Sequence, residues 1–241
     1  MNITLQIQRY NPETDEKPHF ERYSIEVDPG ARVLDALMQI KHNIDGSLAL
    51  RKSCAHGVCG SDAMLINGIE RLACKTLIKE VADAEGALIK VEPLKHLPLQ
   101  RDLMVRQDEF FVRWRKVKPF LITEEAIAEK ERVQSPEQRA VFDDPTKCIL
   151  CGACYSACPI LDGKNTAFLG PAALAQAARF IFDSRDRGLI ERLLVLDHPD
   201  GLWACENHFQ CTRVCPRGIK ITKNINLTKR RIKQAKEKGE A

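Results

Sequence analysis

Ten cysteines fall in three runs of three, four and three. The densest run is Cys148, Cys151, Cys154 and Cys158, spaced C-x2-C-x2-C-x3-C and followed by Pro159. Three thiolates this close can cap three corners of one iron–sulfur cubane, while the fourth, three residues on, points toward a second cluster. The pattern therefore demands a reciprocal stretch. It stands at Cys205, Cys211 and Cys215-Pro216, spaced C-x5-C-x3-C-P. Overlaid on the first, three of four positions match and His208 fills the slot of the missing cysteine. Under the crossing rule Cys215 completes the set of Cys148, Cys151 and Cys154, four thiolates that suit a 4Fe–4S cluster. Cys158, Cys205 and Cys211 are left, and three thiolates suit a cubane lacking one iron corner, 3Fe–4S. His208 reads as a hydrogen-bonding residue or proton carrier beside that cluster; the alternative is ligation of a fourth iron.

The first run is different. Cys54 and Cys59 are separated by four residues, two more lead to Asp62, and Cys74 follows. C-x4-C-x2-ligand is the plant-type 2Fe–2S spacing, with a carboxylate where a third thiolate usually stands. Carboxylate is a harder donor than thiolate but still coordinates iron; the other reading of Asp62 is a hydrogen bond at the cluster edge. Gly57 and Gly60 let the backbone wrap a cluster and aim N–H groups at sulfur. His56 reads as a loop residue. The blander account of all ten cysteines is structural zinc, which takes paired C-x2-C knuckles around one tetrahedral site. Runs of three, four and three with two Cys-Pro endings fit that poorly.

These loops need elements to hold them. Asn2–Tyr10 alternates, with Ile3, Leu5 and Ile7 on one face, and reads as a strand; Phe20–Val27 reads as a second. Val33, Leu34, Leu37, Met38 and Ile40 fit a short amphipathic helix. Ala63–Ile66 with an Asn67-Gly68 turn, and Leu88–Val91, are later strands. Together they imply a small β-grasp sheet with one helix. Glu92–Leu99 is punctuated by proline and reads as a linker, and Asp102–Lys118 has helical character. Phe110, Phe111 and Trp114 read as packing residues, as does Trp203. From Glu124 the chain reads as short helices: Ser135-Pro136-Glu137-Gln138 is a helix start, Gly170-Pro171 opens an Ala-rich helix to about Asp183, and Leu189–Leu196 is another. The fold class is α+β, with a sheet domain over 1–104 and a helical domain over 105–241.

Composition is that of a globular chain, 44% hydrophobic and 29% charged. Met1 leads directly into a strand, with no apolar leader, so a reducing compartment and metal binding are expected over disulfides. No apolar run approaches the roughly 18 residues that span a bilayer, so membrane attachment is expected through partners. Net charge is +4, but residues 217–241 carry nine Lys or Arg against Glu237 and Glu240, which leaves −3 for the rest. That tail reads as a solvated, fraying helix, or more sharply as a contact for anionic lipid or an acidic protein face. No aromatic residue interleaves the charges, which argues against nucleic acid.

The three cysteine runs, with Arg51–Asp62, Leu97–Leu103, Phe168–Ala172 and Asp183–Asp186, make nearly the whole chain resemble the iron–sulfur subunits of succinate dehydrogenase and fumarate reductase, most of all the bacterial succinate dehydrogenase subunit. The resemblance implies a plant-type 2Fe–2S ferredoxin domain followed by an all-α domain like the two-cluster bacterial ferredoxins. It implies Cys54, Cys59, Asp62 and Cys74 at 2Fe–2S, Cys148, Cys151, Cys154 and Cys215 at 4Fe–4S, and Cys158, Cys205 and Cys211 at 3Fe–4S. The implied role is electron transfer within respiratory complex II of the tricarboxylic acid cycle, from an FAD flavoprotein subunit to quinone. The dicarboxylate chemistry then lies on that partner, so this chain has no catalytic residue of its own. Membrane-anchor subunits, with haem b as a further possibility, would hold it at the cytoplasmic face of a bacterial inner membrane. Family members that use ubiquinone often carry a Trp shortly after the Cys-Pro, whereas Ile160–Lys164 has none; Pro159 and His208 are the candidates for the quinone end. The rival readings are a fumarate reductase subunit running in reverse, the iron–sulfur subunit of another flavoprotein oxidoreductase, and a zinc-stabilised module binding nucleic acid.

Overall fold

The computed structural model describes residues 1–123 and 130–239; the part of the expected helical run that falls on 124–129 lies outside them. The chain forms two compact units, Met1–Gln107 with Ile149–Ser156, and Asp108–Cys148 with Ala157–Ala241.

The first unit is built on a five-stranded sheet of order β2-β1-β5-β3-β4. Its strands are β1 (Asn2–Arg9), β2 (His19–Glu26), β3 (Ala63–Ile66), β4 (Ile69–Leu72) and β5 (Leu88–Glu92). Strand β1 pairs antiparallel with β2 and parallel with β5, so it is central and buries Ile3, Leu5 and Ile7. Helix α1 (Val33–Asn43) adds Val33, Leu34, Leu37 and Ile40 to the same core. The Asp35 carboxylate accepts the N–H of Arg32 and so closes the first turn of α1. Asn67 and Gly68 both have positive φ, 50° and 77°, and make the two-residue turn that pairs Ile66 with Ile69. Strand β4 is not legible in the sequence because its pattern is inverted: Ile69 is exposed while Glu70 is buried.

Two expectations need correction here. Leu99–Arg101 (β6) and Met104–Val105 (β7) form a small hairpin, so part of the expected linker is strand and the helix does not begin at Asp102. Helix α2 (Asp108–Lys116) starts six residues later. Asp102 explains the difference. Its carboxylate accepts the N–H of Tyr10 and of Ala49, and its own N–H donates to the Tyr10 carbonyl. These long-range bonds outweigh local helical preference.

In the second unit, α3 (Pro136–Thr146) is capped by the Ser135 hydroxyl, which accepts the N–H of Gln138. The one-turn α4 (Ala153–Ser156) lies in the Cys-rich segment that folds with the first unit. Helix α5 (Pro171–Ile181) is the hub of the second: it is almost wholly buried and packs against α2, α3, α6 (Leu189–Leu196) and the terminal helix. Phe110 is buried and edge-on to Phe111, which is edge-on to Trp114, a packing role as expected. Arg192, fully buried, pairs with Asp186 at 2.6 Å and donates to the carbonyls of Val117, Lys118 and Phe120. A short α7 (Gln210–Arg213) precedes α8 (Ile221–Glu237). Helix α8 corrects the picture of a solvated, fraying tail. Ile221, Ile225, Thr228, Ile232 and Ala235 are buried along one face, so the basic residues ride on an anchored helix.

Candidate iron–sulfur centres

The loop between α1 and β3 and the turn after β4 bring Cys54, Cys59, Asp62 and Cys74 together. The N–H of Cys59 approaches the Cys54 sulfur at 3.3 Å, that of His56 at 3.5 Å, and the N–H of Cys54 approaches the Cys59 sulfur at 3.5 Å. Such N–H groups stabilise thiolate, and they draw the Cys54 thiol down to about 6, His56 contributing most and Cys59 next. The His56 ring meets the Cys54 carbonyl at 2.6 Å and takes the place of a loop residue. Asp62 is buried. Its Oδ2 accepts the Cys74 N–H at 2.5 Å while its Oδ1 is buried with no hydrogen-bond partner. Burial, then the Asp62 carboxylate, push the Cys74 thiol up to about 12. A buried carboxylate oxygen with no donor beside a buried thiol is a site short of positive charge, which an iron pair would supply. Three thiols, one carboxylate and a nest of N–H groups fit a 2Fe–2S cluster.

Cys151 and Cys154 sit in the same unit. Gly60, at φ 70°, lies flat on this segment: a Cβ there would stand 2.5 Å from the Cys151 Cβ and 3.1 Å from its Cα. The segment is pinned by Ser156, whose hydroxyl donates to Glu70 on β4 at 2.8 Å and accepts the N–H of Lys95 at 2.9 Å. Cysteine spacing does not reveal Ser156 or Glu70, because neither is a ligand type set at a ligand interval. Cys148 and Cys215 belong to the second unit.

Within the second unit, Cys158, Cys205 and Cys211 line one cavity with Pro159, His208 and Phe209. Cys158 and Cys211 are buried, which raises both thiols; mutual proximity adds to the rise, Cys205 and Cys211 acting on Cys158 and Cys205 on Cys211. The N–H groups of Ile160 and Leu161 oppose the rise at Cys158, as the hydroxyls of Thr222 and Thr212 do at Cys211. Three thiols that repel one another's ionisation around a common cavity fit a cationic iron–sulfur core. His208 is at the rim. Its Nε2 meets the Glu206 carboxylate at 2.9 Å, and Glu206 pairs with Lys164 at 3.0 Å. Two supports escaped the sequence reading: Thr222, 3.5 Å from the Cys211 sulfur, and Lys229, whose ammonium donates to the Cys205 carbonyl at 2.8 Å. Trp203 corrects an expectation. It is 37% exposed, its indole N–H donates to Asp197, and it does not pack in the core.

Comparisons with known proteins bear on the family and its domains. Residues 4–112 match the family model of the 2Fe-2S iron-sulfur cluster binding domain, and residues 144–219 that of the 4Fe-4S dicluster domain. The succinate dehydrogenase iron-sulfur subunit of Coxiella burnetii is 40% identical over 240 residues, 99% of this chain and 100% of its own length. The fumarate reductase iron-sulfur subunit of Escherichia coli is 38% identical over 219 residues, 90% of this chain and 88% of its own. The chain belongs to this family of iron–sulfur subunits. A chain in the solved Mycobacterium smegmatis Sdh1 complex in the apo form shares the family fold. Its TM-score is 0.86 at 27% identity, with 98% of this chain and 97% of that chain covered. The α+β fold class, with a 2Fe–2S ferredoxin domain ahead of a helical 4Fe–4S domain, follows from these matches. Both family models name iron–sulfur clusters, the reading that cysteine spacing favoured over zinc.

Proposed function

We infer that the chain is the iron–sulfur electron-transfer subunit of a membrane-bound succinate:quinone oxidoreductase, respiratory complex II of the tricarboxylic acid cycle. The observation that supports this reading best is the close approach of Gly60, the neighbour of Cys59, to Cys151 within one unit, which brings two of the cysteine runs side by side. When bound, 2Fe–2S, 4Fe–4S and 3Fe–4S clusters supply single-electron steps between an FAD-bearing partner and quinone. The chain's own residues hold, orient and shield. Cys54, Cys59, Asp62 and Cys74 would hold the first group, Cys148, Cys151, Cys154 and Cys215 the second, and Cys158, Cys205 and Cys211 the third. Pro159 and His208, at the last cavity, are proposed on the quinone side, with the Glu206 carboxylate orienting the His208 ring.

Residues 1–104 and 105–241 are the proposed domains. The proposed partners are the flavoprotein and membrane-anchor subunits, with haem b among the anchors, on the cytoplasmic face of a bacterial inner membrane. No helix among the described residues is long and apolar enough to cross a membrane, so anchoring through partners is the consistent arrangement. A second reading, fumarate reduction, draws on the 38% identity to the Escherichia coli fumarate reductase subunit. Co-expression with the flavoprotein and anchor genes, followed by assays in both directions, tests the assignment. Succinate-dependent quinone reduction exceeding quinol-dependent fumarate reduction is expected. The opposite ratio supports the second reading, and a complex active in neither direction overturns both.

A further inference from the structure

We propose that the flank of α8 carrying Lys229, Lys233 and Lys236, together with Trp203, is a seat for anionic phospholipid headgroups. The three lysines stand at i, i+4 and i+7 and so share one side of the helix. The ammonium groups of Lys229 and Lys233 lie 5.8 and 5.9 Å from the centroid of the Trp203 ring. The indole N–H donates to Asp197 at 2.7 Å, and Asp197 pairs with Lys236 at 2.5 Å. The indole is thereby fixed at the surface, with its polar edge tied down and two cations beside it. The opposite face of α8 is buried, so the lysine row is a fixed feature of the second unit.

An indole with a wet edge and long lysines is the composition that settles at headgroup depth in a bilayer. Exposed Lys223, Arg230 and Lys238 extend the positive charge along the helix, against Asp197 and Glu237. Lysines are compact point charges on flexible stems, and a cluster of basic residues beside an interfacial aromatic is what anionic headgroups attract. The row also borders the last cavity, because Lys229 donates to the carbonyl of Cys205, which lines it. The proposal rests on the preceding reading in one respect: an acceptor dissolved in the membrane requires this edge to face the bilayer.

The test is flotation of the full-length, cluster-loaded chain with vesicles of phosphatidylcholine alone or with phosphatidylglycerol added. Binding only to the phosphatidylglycerol vesicles is expected, weakening as salt rises. Lys233→Gln should weaken it about fivefold, while Lys79→Gln in the first unit leaves it unchanged. Retained cluster spectra in each variant show that the fold is intact. Equal binding to both vesicles, no binding, or wild-type binding by Lys233→Gln overturns the proposal. So does a Lys233→Gln variant that loosens the assembled complex in detergent without affecting vesicle binding, which assigns the row to an acidic subunit. Quinone reduction by the wild-type complex persists if this proposal alone is wrong, and is absent if the underlying reading is wrong.

Discussion

The Cys54 loop and the cavity of Cys158, Cys205 and Cys211 solve the same problem in opposite ways. The first is local: within nine residues the chain curls so that its own N–H groups face sulfur, and Cys54 is drawn down to about 6 before any metal is considered. The second is assembled from distant segments. Burial raises Cys158 and Cys211, and few N–H groups compensate. A loop of the first kind is preorganised for thiolate, whereas a pocket of the second kind depends on the charge of its iron. The two sites should therefore respond independently to substitution.

The largest effect is expected from Cys211→Ser, which removes one of three soft donors. The EPR signal of the third cluster should vanish while that of the first persists; loss of both would show that the sites are not independent. Next is Gly60→Ala. The added carbon meets Cys151 at 2.5 Å in a left-handed conformation, a cost of roughly 2–4 kcal/mol, read as a lowered denaturation midpoint. An unchanged midpoint would remove the contact on which the proposed function rests. Asp62→Cys replaces a hard donor by thiolate and should move the midpoint potential of the first cluster alone; an unmoved potential would mean that Asp62 is not a ligand.

The smallest effect concerns acid. The Ser47 hydroxyl, then Arg9 and Tyr23, hold the Asp45 carboxyl well below its usual range, against the opposing effect of burial. A lowered folded value stabilises above the unfolded value of about 4 and is lost as pH falls through the folded value. Thermal melts of Asp45→Asn should show a shallower loss of stability on acidification than wild type, and parallel curves would refute this.

Which parts were legible follows the same division between local and distant. The strand alternation at Ile3, Leu5 and Ile7, the Asn67-Gly68 turn and the Ser135 cap are short-range signals, and each appears where its residues stand. Cysteine intervals are short-range within each run, and the crossing rule between the two runs anticipated Cys158, Cys205 and Cys211 at one cavity. The hairpin at 99–105 was not legible, since Asp102 is recruited by Tyr10 and Ala49 far away in sequence. Trp203 was misplaced because the lysines that flank it lie 26 and 30 residues later, a relation that only the packing of α8 creates. The buried face of α8 is masked by its charge: nine Lys or Arg over residues 217–241 dilute the apolar periodicity of Ile221, Ile225 and Ile232.

The most direct test of the central claim is EPR of the full chain, first air-oxidised and then reduced. Three thiolates around the last cavity and a plant-type loop in the first unit predict a 3Fe–4S signal in the oxidised sample and a 2Fe–2S signal on reduction. An oxidised sample with no signal would contradict the account, because it would mean that His208 holds a fourth iron or that the cysteines hold a metal other than iron.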